Sequence, residues 1–311
     1  MRRSQATKAS ERLVKGVLVL VSAVSAISSI LIAGSGFMGS GIAYLVATKM
    51  KAAVLIFDSS QPALENAQKT FNKLAQSSLE KGFINKGELE EANKRLKPLS
   101  SLASLPACDL VIEAIFENLP AKQELFRTLD NLCAKETIFA SNTSSLSITA
   151  LASATKRPDR FIGMHFFSPA HIMKLLEVIP GIDTADSTIN LAIEIGKHLG
   201  KTVITSKDTP GFITTRLGMV LLNEAAFALM EGLSSPDEID LGMKLGYNHP
   251  MGPLALADFV GLDICLNVME TMQDWFGDSK YRPCPLIRQL VSAGHLGKKT
   301  GRGFYQYSGV A

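Results

Sequence analysis

Cysteine is scarce in this chain, and its four residues, Cys108, Cys133, Cys265 and Cys284, stand far apart, with no CxxC pair and no Cys/His cluster at metal-site spacing. That pattern excludes a disulfide scaffold and a zinc finger. It suits four reduced thiols in a reducing compartment. A surplus of one charge is missing too. The formal balance is +3, but residues 1–26 hold five bases (Arg2, Arg3, Lys8, Arg12, Lys15) and one acid (Glu11), so the remainder nets about −1. No basic stripe with interleaved aromatics occurs, and no nucleic-acid partner is expected. After Ala33 no apolar run approaches the roughly 18 residues that a membrane helix needs.

What is present is one long uncharged stretch between Lys15 and Lys49, containing VLVLVSAVSAISSILIAGSGFMGSG. A basic start, an apolar run and Val24-Ser25-Ala26 match a signal peptide cleaved after Ala26. The same run ends in a glycine pattern that reads instead as a strand and a phosphate loop. A strand that carries such a loop cannot also span a membrane. From Ile27 onward the stretch is therefore assigned to a folded domain, which leaves residues 1–26 as an N-terminal extension, disordered or targeting.

With 46% hydrophobic and 20% charged residues, the chain has the composition of a globular protein with one large domain or two ordinary ones. Between residues 27 and 207 seven apolar runs, SILIAG, AAVLIFD, DLVIEAI, TIFASN, FIGMHFF, LLEVI and KTVITS, alternate with helical patterns. Pro62 after Ser60 and Pro120 after Asn118 mark two helix starts. This predicts an α/β fold, a doubly wound and mainly parallel sheet. Residues 208–311 lose the strand pattern and read as an all-helical domain, with helices over 212–232, 236–246, 253–276 and 285–294. The first of these is apolar around most of its circumference, which predicts burial in the domain or against a partner, most economically in a homodimer.

Gly34, Gly36 and Gly39 have GxGxxG spacing between an apolar strand and a helix. Gly34 can turn tightly, Gly36 lets the backbone approach a pyrophosphate, and Gly39 lets the helix pack on the strand. Asp58 ends the second strand, where an acid accepts from a ribose 2′-hydroxyl. With no arginine beside it, Asp58 points to NAD rather than NADP.

Of five histidines, His165 lies in FIGMHFF, and Glu177 lies in KLLEVI beyond the break SPAHIM. If the two strands fold back about residue 171, the two side chains face each other across the pair. A carboxylate beside an imidazole orients it and stabilises its protonated form, as a base that takes a proton from a hydroxyl requires.

These residues belong to a longer series: GSGFMGSGIA, EAIFENL, ASNTSSLSIT, RFIGMHFFSPAHIMKLLEVI, DTPGFI, HPMGPLALADFVGLD and GKKTGRGFY. On that series the chain, from about Ile27 to Tyr307, resembles the NAD-dependent L-3-hydroxyacyl-CoA dehydrogenases, including 3-hydroxybutyryl-CoA dehydrogenases. The resemblance implies a Rossmann domain followed by a helical substrate and dimerisation domain, with the active site between them. It implies a reversible oxidation of (3S)-3-hydroxyacyl-CoA, with His165 as base, Glu177 as its partner and Ser144 on the substrate's 3-oxygen. Phe37, Met38, Glu117 and Asn142 join the glycines and Asp58 as expected cofactor contacts. Ser168 stands where asparagine is frequent after HFF, Thr215 replaces an asparagine that usually contacts substrate, and Lys81 could approach the CoA phosphates. A dehydrogenase of a free 3-hydroxy acid and a non-catalytic NAD-binding protein are the alternatives. Since NAD and acyl-CoA pools lie inside cells, a cytoplasmic location is expected, or the mitochondrial matrix if residues 1–26 are a presequence.

Overall fold

The computed structural model describes residues 24–307, and its contacts divide the chain between Asp208 and Thr209 into two compact units. In the first unit the apolar runs become β1 (Ser29–Ala33), β2 (Ala53–Phe57), β3 (Leu96–Leu99), β4 (Leu110–Glu113), β5 (Ile138–Ser141), β6 (Phe161–Phe166), β7 (Leu175–Pro180) and β8 (Thr202–Thr205). The connecting helices are α1 (Phe37–Lys49), α2 (Gln61–Glu80), α3 (Lys86–Arg95), α4 (Leu119–Leu132), α5 (Ile148–Ala152) and α6 (Asp186–His198).

The eight strands form one sheet in the order β3-β2-β1-β4-β5-β6-β7-β8. Every neighbouring pair is parallel except β6 and β7. The chain leaves β1 toward β2 on one side and later returns to β4 on the other, and this reversal opens a crevice at the carboxyl ends of the strands. Both sides of β4 and β5 are buried along their whole length, which explains why they read as unbroken apolar runs.

The strand β3, with the sequence LKPL, was not among the seven expected. Lys97 and Pro98 give it the look of a loop, yet it pairs with β2 at the sheet's edge, where a proline need not donate to the ladder. The expected helix starts are present: Ser60 accepts from Ala63 N, and Asn118 from Ala121 N. Phe126 of α4 packs against Phe139 and Phe161 with ring centroids 5.6 and 4.6 Å apart, and all three rings are fully buried. Each such pair contributes about 0.5–1.5 kcal/mol beyond area burial.

The five bases of the leader lie outside the described residues. Val24, in the candidate cleavage motif, is buried and packs with Ile27 in the core of the first unit. Cys108 and Cys133, 25 residues apart in sequence, bring their Sγ atoms to 4.0 Å as free thiols.

The second unit contains α7 (Thr214–Met230), α8 (Pro236–Gly246), α9 (Pro253–Val260), α10 (Leu262–Phe276) and α11 (Pro285–Ser292). The stretch 253–276, expected as one helix, is two, because Gly261 takes a φ of +106° that no helix continues through. Leu222, Ala226, Leu254, Leu262, Met272 and Ile287 form a separate core. Two buried aspartates lock this unit. Asp258 accepts from Phe304 N, Tyr305 N and Tyr307 Oη at 2.9–3.0 Å, and Asp240 from Leu254 N, Ala255 N and Tyr305 Oη at 2.8–2.9 Å. No helix among the described residues is long and apolar enough to cross a membrane.

Candidate active site

At the carboxyl end of β1 the chain turns at Gly34, whose φ is +108° and where a Cβ would come within 2.6 Å of the Ala114 backbone. A side chain at Gly39 would collide with the Gly34 carbonyl, so α1 sits directly on the turn. Gly36 caps α1 without any side chain, and beyond its two chain neighbours nothing lies within 4 Å of where its Cβ would be. The N–H groups of Phe37 and Met38 thus stand at the positive end of a 13-residue helix, a suitable seat for a pyrophosphate.

Asp58 closes this loop from β2. One carboxylate oxygen accepts from Ser35 N and Ser35 Oγ at 3.0 and 2.8 Å, and the other from Ser60 N at 3.0 Å. A cavity of about 550 Å³ lies beside it, lined by Gly34, Gly36, Asp58, Ile115, Phe116 and Leu125 among others. Its charged lining residues are Asp58 and Glu124, with no lysine or arginine. A 2′-phosphate would meet like charge there, whereas a free ribose hydroxyl would meet an acceptor. The residues present therefore fit NAD.

Three strands along from β1, the antiparallel register of β6 and β7 sets His165 directly opposite Glu177. Glu177 is fully buried and His165 is 5% exposed. Nδ1 of His165 lies 2.7 Å from Glu177 Oε2. A carboxylate only accepts, so Nδ1 carries the proton, and in the neutral ring the lone pair falls on Nε2. Ser144 Oγ lies 3.1 Å from that Nε2. Asn142, at the end of β5, accepts from Phe166 N at 2.8 Å and so ties the Ser144 turn to the strand that carries His165.

Glu117 builds the turn from below. Its Oε1 accepts from Thr143 Oγ1 (2.5 Å), Ser144 N (2.9 Å), Ser145 N (3.1 Å) and Ser145 Oγ (3.2 Å). Burial opposes its charge, but Lys122, Thr143 and Ser144 N outweigh burial and hold its carboxyl below the usual range. Ser144 is not the cap of the next helix. Ser147 caps α5, and Asp208 accepts from Ser147 Oγ, Ile148 N and Thr149 N.

The remaining expected contacts lie elsewhere. Lys81 ends α2 and lines a second cavity of about 510 Å³ with Tyr44, Ser78 and His171. Ser168 is exposed in the loop after β6 and precedes a cis peptide bond to Pro169. Thr215 is half-buried in the first turn of α7, in the second unit.

Known proteins share the frame that carries these residues. The family description "3-hydroxyacyl-CoA dehydrogenase, NAD binding domain" matches residues 29–209, and "3-hydroxyacyl-CoA dehydrogenase, C-terminal domain" matches residues 211–307. The chain belongs to the 3-hydroxyacyl-CoA dehydrogenase family. It is an NAD-linked oxidoreductase of that family, with a Rossmann sheet followed by helices. It is 48% identical over 281 residues to a probable 3-hydroxybutyryl-CoA dehydrogenase of Bacillus subtilis, covering 90% of this chain and 98% of the relative. It is 40% identical to the human mitochondrial hydroxyacyl-coenzyme A dehydrogenase over 90% of this chain and 91% of that one. The crystal structure of (S)-3-hydroxybutyryl-CoA dehydrogenase from Ralstonia eutropha superposes with a TM-score of 0.87 at 45% identity, covering 91% of this chain and all of that one.

Several residues of this dehydrogenase's site were not visible in the sequence. Glu113, Lys122, Thr143 and Asp208 look like ordinary polar groups in a linear reading, except that Glu113, Thr143 and Asp208 fall inside the quoted EAIFENL, ASNTSSLSIT and DTPGFI motifs. Their inclusion in those motifs was the available signal.

Proposed function

We propose that the chain interconverts (3S)-3-hydroxyacyl-CoA and 3-ketoacyl-CoA, with His165 as general base, Glu177 as its orienting partner and Ser144 as the donor to the substrate's 3-oxygen. The observation that carries this reading is the row Glu177–His165–Ser144, with contacts of 2.7 and 3.1 Å that leave Nε2 as the acceptor. Bound NAD supplies the hydride acceptor at C3 of the substrate. His165 Nε2 takes the hydroxyl proton, and Glu177 stabilises the imidazolium that results. Ser144 Oγ hydrogen-bonds the oxygen as it becomes a carbonyl. In reverse, the imidazolium returns the proton to the alkoxide.

Gly34, Gly36, Phe37, Met38, Gly39 and Asp58 hold the cofactor's phosphates and ribose in this proposal, and Glu117 and Asn142 shape its nicotinamide end. Ser168, Thr215 and Lys81 are assigned to the acyl-CoA. The helical unit serves the substrate and a homodimer. In support, Leu217 on α7 is 67% exposed, and Leu245 and Tyr247 at the end of α8 are 77% and 74% exposed. Light scattering after size exclusion reads the dimer directly. The cytoplasm is the proposed location, and the mass of the native N-terminus tests it against a cut after Ala26.

The chemistry is tested with His165→Gln. The variant is expected to lose about 10²- to 10⁴-fold in turnover while it still binds NADH. Near-normal turnover removes His165 from the mechanism.

A further inference from the structure

The first unit buries a second set of charges that the proton transfer itself does not use. Lys122 of α4 is 1% exposed. Its ammonium has three N–H bonds and three oxygens in reach: Glu113 Oε1 at 2.5 Å, Glu117 Oε2 at 3.3 Å and Ile115 O at 3.3 Å. Glu113, fully buried at the end of β4, also accepts from Ile115 N at 2.7 Å and from Ser141 Oγ at 2.5 Å. Burial raises its carboxyl above the usual range, against the opposing pull of Lys122, Ser141 Oγ and Ile115 N.

Three buried or part-buried charges are a poor device for stability alone, since apolar residues of the same volume often serve as well. Their arrangement has a direction instead. Glu113 and Ile115 fix Lys122, Lys122 holds one oxygen of Glu117, and the other oxygen of Glu117 gathers Thr143, Ser144 and Ser145. Glu117 is the one member with a water-facing side, its side chain being 27% exposed. Without the ammonium it is free to turn outward, and the turn that carries Ser144 loses its anchor.

We propose that Lys122, seated by Glu113, is a positioning residue for the reaction: it fixes the Glu117 carboxylate, which holds the 143–145 turn so that Ser144 Oγ stays beside His165 Nε2. This rests on the roles given above to Ser144 and His165. Lys122 touches none of the reacting atoms in this scheme, and its effect passes through Ser144.

A double-mutant cycle on the full chain tests this, with kcat and KM for NADH and acetoacetyl-CoA measured for Lys122→Met, Ser144→Ala and the pair. Lys122→Met is expected to lower kcat by about tenfold to 10²-fold, with both KM values within about threefold of the parent. In the Ser144→Ala background the same change is expected to lower kcat by less than about threefold, because the group it positions is gone. Losses that multiply overturn the proposal, as does a kept kcat with a raised KM for NADH. Should Lys122→Met fail to fold, the pair Glu113→Gln/Lys122→Met keeps the net charge of the cluster and enters the same cycle. A Ser144→Ala protein with full turnover removes both the role of Ser144 and this proposal. A slow Ser144→Ala protein with multiplying losses removes only the proposal.

Discussion

Both units of the molecule bury acids, and they use them differently. In the helical unit Asp240 and Asp258 are held by backbone N–H groups and by the hydroxyls of Tyr305 and Tyr307. These partners stay uncharged near neutral pH, and burial pushes the ionisation of the two phenols still further from it. In the sheet unit Glu177 faces an imidazole, and Glu113 and Glu117 face an ammonium. An acid satisfied by neutral donors fixes a chain segment in place. An acid opposite a group that gains and loses a proton also sets the energy of that transfer. With the role proposed for Glu177, the same local device serves the fold in one unit and the reaction in the other.

Substitution should separate the two uses. The largest effect is expected at Glu177→Gln, where the amide no longer enforces the Nδ1–H tautomer of His165. Steady-state kinetics should show kcat down by about 10²-fold or more, with NADH affinity unchanged by fluorescence titration. A Glu177→Gln enzyme with full turnover would place Glu177 beside Asp258 as a structural acid. Asp258→Asn comes next and should act on stability. Leaving buried N–H groups short of an acceptor costs about 1–3 kcal/mol, readable by denaturant unfolding, while kcat per folded molecule stays as in the parent.

The smallest effect is a difference in pH dependence. Glu117 has its carboxyl held below the usual range, so its stability is present above the unfolded value of about 4.3 and is lost as pH falls through its folded value. Burial, which outweighs the N–H and hydroxyl donors, holds Asp258 above the usual range. Its contribution is present below about 3.9 and is lost as pH rises through the folded value. Glu117→Gln is therefore expected to cost more stability near neutral pH than in acid, and Asp258→Asn more in acid. Slopes of the same sign would erase the distinction.

How much of this was legible in the chain follows from how each part is built. The cofactor loop is a contiguous backbone device, and Gly34, Gly36, Gly39 and Asp58 could be read in order from their spacing. The pairing of His165 with Glu177 could be read because an antiparallel fold-back is symmetric about one residue, and the register has them opposite each other. Ser144 and Glu117 entered only through the family resemblance, since a serine and an acid 27 residues apart carry no pattern of their own. Lys122 was invisible: a lysine in the first turn of an amphipathic helix looks solvated, and only the folded loop beside it shows that it is buried. The strand β3 was hidden by its proline, and the break at Gly261 by the unbroken apolar pattern around it.

The central claim is that this site oxidises and reduces 3-hydroxyacyl-CoA thioesters with NAD. It is tested most directly by following NADH absorbance with acetoacetyl-CoA and, in parallel, with free acetoacetate. The account predicts loss of NADH with the thioester alone. Equal rates with the free acid, or no loss with either, would contradict it.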